Sequence, residues 1–277
     1  MKENEKNNFN DLYDNFDYMY AAIKHNSNAF ELASKRLRDN EELAILAISK
    51  AGMGFLLRYA SERLRDNKKV VMAAIKSDKF ALEYASERLK DDDDVVIVAL
   101  KNNGRNLKYV SERIKNNKKM VLIGLSGDYS DGYGLQFVSD KLKNDKEVVL
   151  TAVSNSGEVL EYASEALKKD KEVVTAAVKN NYCSLKHADK SLKNDRDFLL
   201  SLAKIDIGIL KIIDLKFVFD KDFLIEAFAN DKNNSIDNQD YINYIFRIRL
   251  DELLYIVKQS VHDKKSNDEG LSKGFHI

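Results

Sequence analysis

One six-residue phrase returns along this chain and limits what it can fold into. "YASERL" reads Tyr59 to Leu64 and again Tyr84 to Leu89, "YVSERI" reads Tyr109 to Ile114, and "YASEAL" reads Tyr162 to Leu167. Aligned on the serine, the series is Ser34, Ser61, Ser86, Ser111, Ser139 and Ser164, then Asp189 and Asp214, in steps of 27, 25, 25, 28, 25, 25 and 25. Ala22, Ala47, Ala74, Ala99, Gly124, Ala152 and Ala177 form a second ladder with steps of 25, 27, 25, 25, 28 and 25. Two ladders with matching steps define a tandem array, in which each unit buries its apolar side against its neighbours. At 277 residues the chain exceeds what one compact core usually holds.

The clearest unit, "DKEVVLTAVSNSGEVLEYASEALKK" (Asp145 to Lys169), reads as two short helices. The first, near Asp145 to Asn155, has Asn144 and Glu147 at capping-box spacing, and "NSG" or "NNG" (Asn102 to Gly104) offers a left-handed stop. The second, near Glu158 to Lys168, sets Leu160, Ala163 and Leu167 on one face. Val70 to Ile75 is apolar nearly all round, which suits a helix with neighbours on both sides. The small ladder lets such helices approach closely. The serine, read in mid-helix, can bond back along its helix or to the adjoining repeat.

The expected fold is therefore all-α: an α-solenoid of about eight short helix-turn-helix repeats of 25 to 28 residues over 11–219. After Ala177 the small position becomes Leu202, and the pattern decays. A degenerate last repeat from Asp220 and a capping helix, Tyr241 to Val261, fill 220–261, and the polar stretches 1–10 and 262–277 read as disordered. The stretch "DKEVVLTAVSNSGEVLEYASEALKKDKEVVTAAVKNN" (Asp145 to Asn181) resembles the bacterial repeat family known as domain of unknown function 4116, and the likeness runs from about Asn15 to Asn194. That resemblance implies the repeat fold but brings no activity, substrate or catalytic residue.

Lys plus Arg equals Asp plus Glu at 45 each, so no net field draws the chain to polyanions. One cysteine, Cys183, excludes an internal disulfide framework. The start has no signal-peptide core and no apolar run reaches membrane length, so a soluble cytoplasmic protein is expected. No proline and abundant Lys and Asn suggest an AT-rich bacterial or phage source. The four histidines lie far apart, and the calcium-like run Asp231 to Ile242 lacks the glycine and the final glutamate. No metal and no cofactor is expected. A serine repeated with no base beside any one copy is no nucleophile, so no catalytic residue is assigned and the protein is read as a non-enzyme.

Three features carry the expectation of binding. A loop lengthened by three residues, Ser126 to Gln136, offers Asp128, Tyr129, Asp131 and Tyr133 among glycines, and Tyr109, Glu112 and Arg113 are read as exposed contacts beside it. An aromatic ladder, Tyr59, Tyr84, Tyr109, Phe137 and Tyr162, suits inter-repeat packing more than base stacking. A basic ladder, Arg38, Arg65, Lys90, Lys115, Lys143, Lys168 and Lys193, could follow a phosphate backbone, although cations in a last helical turn also answer the helix dipole. The favoured function is a protein–protein scaffold, in a phage setting an inhibitor of a host or defence protein. The alternative is a nucleic-acid binder using Arg65, Lys90, Lys115, Lys143 and Lys168, and no membrane or small-molecule partner is expected.

Overall fold

The computed structural model describes residues 11–127 and 130–228, together with Arg247 and Leu250. Among these, every regular element is helical. Nine α-helices of eight to ten residues set the rhythm: α1 (Phe16–His25), α2 (Glu41–Ile48), α3 (Lys68–Ser77), α4 (Asp93–Asn102), α5 (Lys118–Ser126), α6 (Lys146–Asn155), α7 (Lys171–Asn180), α8 (Arg196–Ala203) and α9 (Lys221–Phe228). Their N-caps are Asn15, Asn40, Asn67, Asp92, Asn117, Asp145, Asp170, Asp195 and Asp220, whose side chains accept a first-turn amide. In the clearest unit the cap is Asp145, bonded by the Val148 amide at 3.2 Å, one residue beyond the expected Asn144.

The second half of each unit is not one helix. A 3-10 segment such as Gly157–Tyr162 runs into an extended residue, here Ala163 with φ −67° and ψ 158°, and a short helical turn such as Leu167–Lys169 follows. That break moves the repeated serine out of mid-helix. Ser61 has extended angles and caps Glu62–Arg65, its oxygen accepting the Leu64 amide at 3.2 Å. The helix ends also differ from expectation. Asn103 and Ser156 are extended and Gly104 and Gly157 are not left-handed; the Asn103 side chain instead accepts the Arg105 amide at 2.8 Å and opens the 3-10 segment. Among the described residues only Gly52, in the run Lys50 to Leu57 that is two residues longer than its counterparts, and Gly132, in the lengthened Ser126 to Gln136 loop, have positive φ.

Each α-helix packs on the next in line, α1 on α2 through α8 on α9, and successive 3-10 segments stack likewise, which is the order of a solenoid. The buried side chains form one spine from Met19 to Ala227. The small ladder serves a closer approach than helix on helix. A Cβ on Gly54, Gly104, Gly132 or Gly157 would stand 2.0 to 2.5 Å from the carbonyl oxygen of Ala74, Gly124, Ala152 or Ala177 in the following helix. At these four junctions backbone of one repeat therefore rests on backbone of the next, which a side chain there would block; the equivalent positions in other repeats are Ser27, Lys79, Tyr182 and Ile207.

From Asp220, the expected start of the degenerate unit, the described chain forms one capped helix, α9. The expected capping helix lies outside the described residues, except for Arg247 and Leu250, as do 1–10 and 262–277.

Candidate interaction surface

The repeated serine builds the junctions between units. Its amide donates to the carbonyl of the preceding unit's basic-ladder residue: Ser61 to Arg38 at 3.1 Å, Ser86 to Arg65 at 2.9 Å, Ser111 to Lys90 at 3.2 Å and Ser164 to Lys143 at 3.0 Å. In the first four junctions its hydroxyl also donates to a carboxylate of the preceding unit, in the pairs Ser34 with Asp14, Ser61 with Asp39, Ser86 with Asp66 and Ser111 with Asp91. The arginine two residues on closes the grip. Arg88 donates from Nε to both Asp66 carboxylate oxygens at 3.0 and 3.1 Å and from Nη2 to the Asp66 carbonyl at 2.7 Å. The serine hydroxyl, and then the arginine, hold each of these aspartates below the usual carboxylate pKa. At the next two junctions the hydroxyl donates instead to an asparagine, Ser139 to Asn116 at 2.9 Å and Ser164 to Asn144 at 2.6 Å.

These junctions engage the basic ladder. The side chains of Lys90, Lys115 and Lys168 are only 15%, 19% and 18% exposed, and they pair with Glu87, Glu112 and Glu165 at 2.9, 2.7 and 2.9 Å. Lys143 lies 3.6 Å from Asp140. The Nε atoms of Arg38 and Arg65 are buried. The four lysines, half-sunk and paired in this way, present little cationic surface, whereas the buried Nε atoms of Arg38 and Arg65 have no hydrogen-bond partner among the described residues.

The loop residues are also drawn inward. Asp131 accepts Nε of Arg105 at 2.6 Å and the Tyr133 amide at 3.1 Å, the Arg105 guanidinium lies 5.0 Å from the Tyr133 ring centre, and that ring meets Tyr162 edge-on at 6.4 Å. Asp131 and Tyr133 thus come together with Arg105, a residue the sequence did not single out, while Asp128 and Tyr129 lie outside the described residues. Tyr109 is half-buried rather than exposed, because its ring packs against the core; burial, with Glu83 beside it, pushes its phenol up. Glu112 and Arg113 are exposed, but Glu112 holds Lys115 and Arg113 holds Asp91 at 2.9 Å and Asp93 at 2.6 Å.

The surface with the fewest internal commitments lies on the side of the α-helices facing away from the 3-10 layer. In α3, Val70, Val71, Ala74 and Ile75 are buried, so Lys68, Lys69, Met72, Ala73 and Lys76 share the opposite side at helical spacing. The same positions place Ile45 and Leu46 of α2, Met72 and Ala73 of α3, Ile97 and Val98 of α4, and Leu122 and Ile123 of α5 in one half-buried stripe. It becomes more polar with Thr151 of α6, Thr175 of α7 and Ser201 of α8. A shallow depression of about 510 Å³ marks this side between α7 and α8, with Phe198 and Ala176 in its lining.

The two rims of the stripe differ. On the N-terminal rim Glu41 and Glu42, Lys68 and Lys69, Asp93 and Asp94, and Lys118 and Lys119 alternate in sign, and repeats neutralise one another through Lys69–Glu41 at 2.8 Å, Lys68–Asp92 at 2.8 Å and Lys118–Asp145 at 2.8 Å. Bonds to backbone carbonyls tie the C-terminal rim, such as Lys50 Nζ to the Lys24 carbonyl at 2.9 Å, Asn102 to the Ile75 carbonyl at 2.9 Å and Asn180 to the Ser154 carbonyl at 3.0 Å. That rim exposes Lys24, Lys50, Lys76, Lys101, Lys179 and Lys204, in two runs broken where Ser126 and Ser154 take the place. This second cation ladder was readable in the sequence two residues after Ala22, Ala74, Ala99, Ala177 and Leu202, and three after Ala47.

Neither a Ser-His-acid arrangement nor a metal cluster organises this surface. Among the described residues no group of three or more His, Cys, Asp or Glu is placed to hold a metal ion, and no helix is long and apolar enough to cross a membrane. The recurring element is the repeat itself, and it identifies the chain. A family profile described as domain of unknown function, DUF4116, matches over 15–65, 53–90, 67–115, 92–130, 129–168 and 170–217. The chain belongs to the DUF4116 family. Its matched segments span the region from α1 to the short turn before α9, so the glycine contacts, the apolar stripe and every staple but the Ser34–Asp14 pair lie within DUF4116 repeats. No curated protein and no solved structure matches the chain.

Proposed function

We propose that this chain is a non-enzymatic scaffold that holds a protein partner across the outer side of its repeat array. The observation that carries this reading is the half-buried apolar stripe of α2 to α5, a run of large aliphatic side chains on a side where no other described element packs. A stacked array offers extended surface in place of a deep pocket, and cross-repeat bonds at both rims hold that surface in one shape. The repeated serines act as caps and staples, which supports reading them as architecture and not as nucleophiles. A cytoplasmic setting suits the free thiol of Cys183. The paired state of Lys90, Lys115, Lys143 and Lys168 weighs against nucleic acid tracking that ladder.

The test is affinity capture from cells of the source organism, with the wild-type chain beside Ile97→Ser/Leu122→Ser. Both substitutions fall on half-buried side chains, and circular dichroism checks that the array stays folded. Selective loss of captured protein in the variant is the expected result. Equal recovery of every captured protein by both chains would sink the reading.

A further inference from the structure

We infer that the stripe takes an acidic amphipathic helix, its carboxylates set along one side against the C-terminal rim. This rests on the scaffold reading and adds the chemistry of the partner.

Charge complementarity selects the occupant. From α2 to α5 and the turns that follow, the C-terminal rim carries Lys50, Lys76, Lys79, Lys101 and Arg105. Its described carboxylates are both engaged: Asp78 accepts the Phe80 amide at 2.9 Å, and Asp131 is held by Arg105. Even with Asp128 counted from the sequence, cations outnumber carboxylates there. Lys76 and Lys101 are exposed and lack a carboxylate partner among the described residues. On the opposite rim Asp91 to Asp94 stand between the lysine pairs of α3 and α5, so no continuous positive track crosses that side. A ligand matched to all three zones is apolar along its middle, acidic along one side, and of mixed charge along the other.

Length selects the form. Four helices packed about 8 to 10 Å apart set the outer axes about 24 to 30 Å apart. A helix with a rise of about 1.5 Å per residue covers that distance with about 16 to 20 residues. Its apolar face, recurring at helical spacing along its whole length, would meet Leu46, Met72, Val98 and Ile123 in turn, about one helix for every 5 to 7 of its residues, and glutamates one helical flank away would reach Lys50, Lys76 and Lys101. Nucleic acid would use the same lysines but would gain nothing from four repeats of aliphatic side chains.

The experiment titrates the full chain with synthetic helical peptides of about 18 residues. All share one apolar face; the acidic peptide carries Glu along one flank, and the basic peptide carries Lys there. The expected result is about tenfold tighter binding of the acidic peptide, weakened by salt, as a few exposed ion pairs would give. Lys76→Glu/Lys101→Glu should reverse that order, restoring affinity to the basic peptide. Equal binding of both peptides, lost in Ile97→Ser/Leu122→Ser, would overturn the acidic assignment and leave the scaffold reading standing. Binding of the acidic peptide that is unchanged in Ile97→Ser/Leu122→Ser would overturn both. Competition by duplex DNA at equal affinity would mark the rim as a general polyanion site and overturn the helix assignment, as would failure of the acidic peptide to bind.

Discussion

Replacing Gly104 by alanine tests whether neighbouring repeats touch through their backbones. An added Cβ would stand 2.0 Å from the Gly124 carbonyl oxygen and 3.0 Å from its carbon. An unstrained C···O contact is about 3.3 Å, so the two strands of backbone must part by about 1.3 Å. No flexible side chain end can absorb that shift, because the obstacle is the peptide group of α5. Overpacking of this kind costs about 1 to 3 kcal/mol, and the stiffer unfolded chain returns about 0.4 to 1 kcal/mol. A net loss of about 1 kcal/mol corresponds to a melting temperature lower by about 2 to 4 °C in an array of this size. Gly127→Ala is the control: its Cβ would find nothing nearer than 3.6 Å, and its backbone is extended at φ −68°. That variant should melt at or slightly above the wild-type temperature. Thermal melts by circular dichroism supply the comparison, and hydrogen exchange should place the lost protection in α4 and α5. Coincident melts for Gly104→Ala and Gly127→Ala would refute the backbone contact as the feature that spaces the repeats.

Further outcomes follow from the same packing. Ala99→Leu adds three carbons to a fully buried ladder position and should cost about 1 to 3 kcal/mol in denaturant unfolding. Asn106→Ala should stay within about 1 kcal/mol of wild type despite complete burial, because two bonds, to the Ala99 and Lys79 carbonyls, are lost while an unpartnered buried Oδ1 is also removed; a loss beyond about 2 kcal/mol in chemical denaturation would contradict that balance. Acid should loosen the first four junctions. Asp14, Asp39, Asp66 and Asp91 have folded pKa values below the unfolded value of about 3.9, so their contribution is complete above that pH and falls away as pH drops through the folded values. Ser86→Ala should let Asp66 titrate nearer the ordinary carboxylate range, and an unmoved Asp66 titration by carboxyl NMR would show that the hydroxyl is not what lowers it.

Periodicity was the most legible layer. Two ladders in one register give the repeat length, the all-α class and the units that pack on each other, because each unit must bury the same apolar positions. The two lengthened loops were legible too, and their Gly52 and Gly132 are where the chain takes positive φ. The finer helical reading went wrong at Ala163, Asn103 and Ser61 for a shared reason. An apolar residue at helical spacing, such as Leu160 or Leu167, looks the same whether the helix continues or breaks into a 3-10 segment and a turn, since both bury it against the same neighbour. Tyr109 was misplaced because a tyrosine beside charged residues reads as surface, while its ring lies against the core with only part of it exposed.

The sequence alone determined the number, order and register of the repeats, since those depend on local spacing that a reader can count. Only the tertiary structure decided which charges are spent and which remain free. Lys90 and Lys76 are equally cationic as letters, yet one lies along a junction beside Glu87 and the other stands on an outer rim with no carboxylate partner among the described residues. That difference arises where one repeat meets the next. The Lys90–Glu87 pair itself spans three positions, but the bonds that build the junction around it join residues 20 to 30 positions apart, such as the Ser111 amide with the Lys90 carbonyl and Asn155 with the Leu125 carbonyl, and the stacking of helices brings their ends together.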